Sequence, residues 1–366
     1  MRSLALPGDG TTRIRLALYF TKGLGDVVAA ESAAIVPASV LLQEGDRFLV
    51  VAMTAAEAAH IGGRARTIDD ARLLVAGPER INSEDGFAAL CAAAARRVRR
   101  ILAPGDGEPA GPCSITLSAR SPVWRESPAW DPAPILARHF PGADLRATVR
   151  SPVDLRVQAD EDKVHIALNL WSRPIGKRGD DGPARPGALR RTVAAALLRL
   201  AIRDVDPDVT MHGVYDPFCG TGTVVAEAAR LGLPVFASDI DERAVQIARD
   251  HLAGELAGSP PGAAGALRHR VFAHDVRRGP PRRVSARVVV GNMPWGKQVK
   301  VDGRLALFDA TTLLTGHLLR DGGAVAFLTT SEDALIARLR RQRLEVFSRR
   351  IGLLGQTPAI VMARTR

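Results

Sequence analysis

The sequence predicts an α/β protein, with a C-terminal sheet of strands joined by crossover helices and smaller α+β units before it. Three observations carry that expectation. The first is the stretch Tyr215 to Thr223, Tyr-Asp-Pro-Phe-Cys-Gly-Thr-Gly-Thr, which follows the strand-like run Met211 to Val214 and precedes a helical pattern from Val224 to Leu231. Its glycines therefore sit in a strand-to-helix turn, the place where α/β sheets bind ligands. The second is the alternation beyond this turn, in which four successive strand tips carry a polar element: Asp216, Asp239, Asp275 and Asn292. The third is the absence of such regular alternation in the first half, where strand pairs and amphipathic helices are mixed.

Taken in order, Arg13 to Phe20 alternates like a strand and Gly25 to Ala34 reads as a helix. Ser39 to Leu42 and Arg47 to Ala52 are strand-like, and Thr54 to Ile61 is helical. A long helix from Ser83 to Leu102 places Phe87, Leu90, Cys91, Ala94, Val98 and Ile101 on one face at helical spacing, with Arg96, Arg97, Arg99 and Arg100 on the other. That arginine run reads either as a solvated face or as a binding site. Ser114 to Ser118 forms a strand and Pro132 to His139 a helix; Val153 to Gln158 and Lys163 to Leu170 face one another across an acidic turn. Arg178 to Gly187, rich in glycine, proline and charge, marks a domain boundary. A helix from Ala188 to Ile202 then turns Leu189, Val193, Ala196, Leu197 and Leu200 inward and leaves Arg190, Arg191 and Arg199 exposed.

The remaining strands are Pro234 to Ser238, Arg270 to Ala273, Ala286 to Val290, Ala324 to Thr329, Leu344 to Phe347 and Ala359 to Ala363. Helices Arg243 to Leu252, Asp309 to Leu319 and Ser331 to Arg341 lie between them.

With 366 residues, 46% of them hydrophobic and 24% charged, the chain is long enough for two or three domains with real cores. No apolar run approaches the roughly 18 residues of a membrane span, and the opening segment is too short in its apolar part for a secretory signal. The three cysteines, Cys91, Cys113 and Cys219, have no metal-ligand spacing and an odd count, which suits a reduced cytoplasm and predicts no metal site. A net charge of +11 points to a polyanionic partner, nucleic acid first. An aromatic content of 4% argues against extended base-stacking platforms.

Gly220 and Gly222 permit close backbone approach to a ligand, and the free N–H groups of the following helix favour an anionic group. The dinucleotide fingerprint requires a third glycine where Val225 stands, and no Gly-Lys-Ser/Thr follows to make a phosphate loop. Asp239 lies 23 residues beyond Asp216, a spacing suited to a carboxylate that holds a ribose diol. Its alternative role is to cap the next helix.

These residues carry a specific resemblance. Asp216-Pro-Phe-Cys-Gly-Thr-Gly-Thr followed by Asn292-Met-Pro-Trp-Gly is similar to the class I S-adenosylmethionine-dependent methyltransferases that modify exocyclic amino groups of nucleobases. The resemblance implies a Rossmann-like seven-stranded sheet with its last strand antiparallel. It also implies a cofactor site made by Asp216, Pro217, Phe218, Gly220, Thr221, Gly222, Asp239, Ile240, Asp275, Val276 and Asn292. In it Asp216 would orient the amino acid end of the cofactor, and Asp275 or the Val276 backbone would lie near its adenine.

Leu168 to Gly179 resembles the junction of a THUMP domain with a methyltransferase, and Gly23 to Glu31 resembles the opening of the ferredoxin-like domain that precedes THUMP in guanosine-N2 RNA methyltransferases. The implied organisation is a ferredoxin-like domain over residues 1–75, a THUMP-like RNA-binding domain over 76–175, a linker over 176–187 and a methyltransferase domain over 188–366.

Asn292, Met293, Pro294 and Trp295 are the catalytic candidates. The lone pair of an exocyclic amine such as guanine N2 is delocalised into the ring. Acceptors for its hydrogens, the Asn292 side-chain oxygen and the Met293 carbonyl, would favour a tetrahedral nitrogen, and Trp295 can stack on the base. The commoner motif has proline at the second position and tyrosine at the fourth. The expected activity is S-adenosylmethionine-dependent methylation of guanosine N2 in structured RNA, tRNA before rRNA, in the cytoplasm. The alternatives are adenine-N6 methylation of DNA or RNA, or an RNA-binding protein that keeps the cofactor fold without turnover.

Overall fold

The computed structural model describes residues 11–102, 113–118, 130–145, 153–160, 163–171, 174–177, 187–257, 269–281, 284–294, 304–319, 322–353 and 355–365. The chain folds into two compact units, residues 1–20 with 28–177, and residues 21–27 with 178–366.

In the first unit strands β1 (Arg13–Tyr19), β2 (Val40–Glu44), β3 (Phe48–Thr54), β4 (Asp70–Arg80), β5 (Cys113–Ser118), β6 (Val153–Asp160) and β7 (Lys163–Asn169) make one sheet in the order β2-β3-β1-β4-β7-β6-β5. Its helices are α1 (Gly25–Ile35), whose first residues belong to the second unit, α2 (Ala55–Arg64), α3 (Glu84–Leu102) and α4 (Pro132–His139). Local chemistry fixes several starts. Thr54 Oγ1 accepts from Glu57 N and Glu57 Oε2 accepts from Thr54 N, a reciprocal capping box that begins α2. Asp131 caps α4, with Pro132 in the first helical turn where its missing N–H costs nothing. On α3 the apolar stripe is buried as its spacing predicts.

Strand β4 has no counterpart in the sequence pattern, which leaves residues 62–82 unassigned. Gly77–Pro78 would ordinarily end a strand. Here register shifts between Leu74 and Ala76 and between Ala76 and Glu79 absorb them, and β4 pairs with β1 on one side and β7 on the other. The position between residues 75 and 76 thus lies inside a central strand.

Such bulges bend a sheet, and this one is curled. Strands β3 and β7 stand three steps apart, roughly 14 Å in a flat sheet, yet the Phe48 and His165 rings are 4.4 Å apart. The enclosed face sets polar groups beside an apolar cluster of Ala17, Tyr19, Phe48, Val50, Leu74 and Ala167. Tyr19 Oη and His165 Nε2 lie 2.9 Å apart, and the Arg156 guanidinium sits 4.1 Å above the Tyr19 ring. Burial, with Arg156 nearby, pushes the His165 imidazole down to about 3, so it stays neutral. Arg72 bridges Asp70 and Asp154 at 2.9 Å each, all three buried.

The second unit holds β8 (Val214–Asp216), β9 (Val235–Asp239), β10 (His269–Ala273), β11 (Val288–Asn292), β12 (Ala324–Thr329), β13 (Glu345–Arg350) and β14 (Ala359–Arg364), ordered β10-β9-β8-β11-β12-β14-β13. The first five run parallel, and β14 inserts antiparallel to both neighbours, so the last strand is the reversed one as the resemblance implies. Helices α5 (Arg191–Ile202), α6 (Thr223–Arg230), α7 (Glu242–Ala257), α8 (Arg304–Leu318) and α9 (Glu332–Arg341) accompany the strands.

Two local expectations change. The strand before the glycine turn is Val214–Asp216 and not 211–214, because Gly213 takes φ 106° and Met211 is exposed in a turn. Arg191 is not an exposed residue: it pairs with Glu255 at 3.1 Å, side chains 16% and 14% exposed. The segment 21–27 is bound into this unit by the Gly352 N–H donating to the Lys22 carbonyl and by Arg349 and Arg203 on Asp26. Partial burial raises the Asp26 pKa, but these two guanidinium groups outweigh it and hold the carboxyl below its ordinary range.

Arg72→Met is expected to destabilise the first unit by about 3–5 kcal/mol, because two carboxylates remain in the sheet interior without their cation. Urea unfolding followed by a probe in the first unit checks this, and an unchanged midpoint would contradict it.

Candidate functional site

The parallel strands β8, β9, β10 and β11 end on one edge of the second sheet, which brings Asp216, Asp239, Asp275 and Asn292 to neighbouring tips. The glycine turn joins β8 to α6. Gly220 takes φ 50° and Gly222 φ 87°, the left-handed region that favours glycine. Their requirements differ. A Cβ on Gly222 would stand 2.9 Å from Ala248 Cβ of α7, whereas one on Gly220 would meet nothing within 4 Å. Gly222 serves helix packing, and Gly220 faces open space beside the turn. Cys219 packs in the same turn, its thiol pushed far up by burial.

Asp239 ties the second tip to the first. Its Oδ2 accepts from Gly220 N at 2.9 Å and its Oδ1 from Asp241 N at 3.0 Å. The cap before α7 is Asp241, whose Oδ1 accepts from Arg243 N at 2.9 Å, so Asp239 is not the helix cap. A carboxylate has about four lone-pair sites, so these two bonds leave it able to accept from hydroxyls. Ile240, the next residue, is 64% exposed at the tip.

Asp216 is 2% exposed, and its Oδ1 accepts from Phe218 N at 2.9 Å. Burial raises its carboxyl pKa to about 8; the Phe218 bond opposes the shift and the Asp239 charge adds to it. Gly291, the penultimate residue of β11, admits that carboxyl: a Cβ there would lie 3.1 Å from Asp216 Oδ1. A glycine inside a strand is the sequence signal for such an approach.

Asp275 is engaged by its own loop. It caps the short turn Val276–Arg278 and forms a two-pronged pair with Arg277, whose hydrogen bonds hold the carboxyl below its ordinary range. The Val276 side chain is buried in the core, leaving its backbone as the group that can face a ligand. His274 Nε2 lies 2.9 Å from the Gly279 carbonyl, a structural contact.

Asn292 is the last residue of β11, two residues beyond the expected strand end. Its Nδ2 donates to the Gly187 carbonyl at 3.1 Å. Met293 is 1% exposed, and its N–H donates to the Leu328 carbonyl at 3.0 Å, a bond proline could not make. Pro294 closes the described stretch, and Trp295 lies outside the described residues. Two contributors have no signal in the sequence: Gly187, and His251, whose Nδ1 donates at 2.7 Å to the Thr221 carbonyl from 30 residues away.

A seven-stranded sheet with one reversed strand, a glycine turn after its first strand and an Asn-Met-Pro at the tip of the fourth define a class I methyltransferase domain. Residues 178–359 match the family UPF0020, RMKL-like, methyltransferase domain. A tRNA (guanine(6)-N2)-methyltransferase of Thermus thermophilus is 32% identical over 193 residues, 52% of this chain and 53% of that protein. A ribosomal RNA large subunit methyltransferase K/L of Methylococcus capsulatus is 33% identical over 88 residues, 24% of this chain and 12% of that protein. The chain thus matches about half the length of the first relative and far less of the second. Among solved structures, TrmN from Thermus thermophilus shares the fold at a TM-score of 0.70 and 23% identity, covering 96% of this chain and all of that one.

Asp216 gives the site a pH signature. Between the ordinary aspartate value near 4 and about 8, the folded protein keeps a proton that the unfolded chain releases, so this residue makes stability fall as pH rises through that window. Asp216→Asn should remove that part of the slope. Thermal unfolding of both proteins across the window measures it, and parallel curves would refute it.

Proposed function

We propose that the protein transfers a methyl group from S-adenosylmethionine to the N2 amino group of a guanosine in structured RNA, with tRNA the favoured substrate and the cytoplasm the site of action. The observation that carries this reading is the pairing of an open glycine turn with the Asn292 amide and Met293 backbone at the adjoining strand tip. The family match over residues 178–359 and the tRNA relative support it.

The residues fit that cofactor. When bound, it supplies a methyl group activated on a sulfonium. Open space beside Gly220 gives room for the cofactor to lie along the turn. Asp239 would accept from ribose hydroxyls, and the exposed Ile240 offers an apolar surface for the adenine to cover. Asp216, largely protonated at neutral pH, would ionise beside a cationic amino acid end. Pro217, Phe218, Thr221 and the Val276 backbone complete the wall, and Asp275 shapes it through its turn.

Toward the base, the Asn292 oxygen and the Met293 carbonyl would accept the two amine hydrogens. The nitrogen lone pair then points along the line of transfer, so positioning accounts for most of the rate. Burial of the Met293 side chain and use of its N–H by Leu328 fix the direction of that carbonyl. A target within a duplex must be flipped out to reach this tip.

The first unit would dock RNA. Arg96, Arg97, Arg99 and Arg100 crowd the end of α3 with no carboxylate partner among the described residues, and burial and then Arg15 lower the Arg97 pKa. A half-buried guanidinium beside another is relieved by phosphate. Among the described residues no helix is long and apolar enough to cross a membrane, and no group of three His, Cys, Asp or Glu is placed to hold a metal ion.

Transfer of labelled methyl to separated tRNA, rRNA and DNA pools, with nucleoside digestion, should give N2-methylguanosine from tRNA, and Asn292→Ala should abolish it with little change in cofactor affinity. N6-methyladenosine as the product would overturn the guanosine reading. Alanine at Arg96, Arg97, Arg99 and Arg100 together should weaken RNA binding and flatten its salt dependence by up to about 0.9 in log–log slope per lost duplex phosphate contact. Unaltered affinity and slope would exclude this face.

A further inference from the structure

An asparagine amide carries an acceptor oxygen and a donor nitrogen of nearly the same shape, and a half-turn of the side-chain amide exchanges them. Only one orientation serves an amine. With the nitrogen toward the base, donors face donors and the amine hydrogens find no acceptor. The side chain itself sets no preference between the two.

The surroundings of Asn292 set one. Its backbone is fixed on both sides: Gly291 and Asn292 lie within the β11 ladder beside β12, and Met293 N donates to Leu328 O. The remaining freedom is the side-chain rotor, and its Nδ2 is 3.1 Å from the Gly187 carbonyl. A backbone carbonyl can only accept, so the nitrogen must lie on that side and Oδ1 on the other edge of the planar amide. Gly187 in turn holds φ 87°, a left-handed conformation that directs its carbonyl and that other residues adopt only under strain.

We infer that the Gly187 backbone carbonyl is a positioning group for Asn292, locking the amide with its oxygen toward the base amine. The inference rests on the proposed role of Asn292 as an amine acceptor. It assigns a function in the reaction to the last residue of the 176–187 stretch, which the sequence pattern treats as a linker.

Asn292→Asp tests the lock because aspartate keeps the shape and an acceptor oxygen. Ionised, its second oxygen opposes the Gly187 carbonyl and the side chain is pushed out of position. Protonated, it donates O–H to Gly187 and presents the other oxygen to the amine, so the protonated form is the competent one. Single-turnover methyl transfer by the full chain to the tRNA pool should therefore be slow for Asn292→Asp at pH 8 and rise about tenfold per unit as pH falls toward the side chain's pKa. Rates are taken relative to wild type at each pH, which cancels the titration of Asp216.

Gly187→Ala should lower kcat by about ten- to a hundredfold, as small misplacements of catalytic groups do, with the cofactor Kd unchanged. A level pH profile for Asn292→Asp, or wild-type kcat for Gly187→Ala, overturns the positioning role while leaving Asn292 in place. Wild-type turnover by Asn292→Ala would instead remove the acceptor reading and this inference with it.

Discussion

The hydrogen bond from the Gly220 N–H to the Asp239 carboxylate, 2.9 Å long, joins the tips of two parallel strands, and the candidate site is arranged around it. Parallel strands connected by crossover helices end on the same edge, where side chains far apart in sequence converge. That edge supplies N–H groups without partners in the ladder. Asp239 takes one from the glycine turn and one from Asp241, which sets the turn's shape, and the turn in turn buries Asp216 beneath it. Gly291 leaves the room that this burial needs. The result is a pair of carboxyls with different environments, one half-buried and tied to backbone donors, the other enclosed and raised to about 8.

Tertiary enclosure has a parallel consequence in the first unit. A flat sheet would leave Arg72, Asp70 and Asp154 facing solvent; the bulged and curled sheet encloses them, and Arg72 answers both carboxylates. The α3 arginines lie outside that enclosure and meet no carboxylate among the described residues. The same side-chain chemistry is structural in one place and available to a polyanion in the other, and the difference is burial.

Much of this was legible in the residues. The helix Pro132–His139 stands where the sequence pattern places it, and the Asp131 cap with Pro132 in the first turn fixes its start locally. The glycine turn, the polar strand tips and the reversed last strand follow from spacing and from a resemblance carried by two short motifs. Other features were not legible. Asp239 and Asp241 stand two residues apart and both suit a cap; the choice of Asp241 depends on the direction in which β9 delivers the chain. Arg191 looked exposed because its pattern ignores Glu255, 64 residues away.

By itself the sequence determined which groups are present at the site and their order along the chain, because glycine conformation, capping chemistry and strand periodicity act over a few residues. Only the tertiary structure decided which partner each group finds. Whether Asp216 is ionised, which end of the Asn292 amide is presented and whether an arginine is paired all depend on burial and on contacts across tens to a hundred residues. Hydrogen bonds and electrostatic interactions fall off over a few ångströms of space, and sequence separation does not measure that distance.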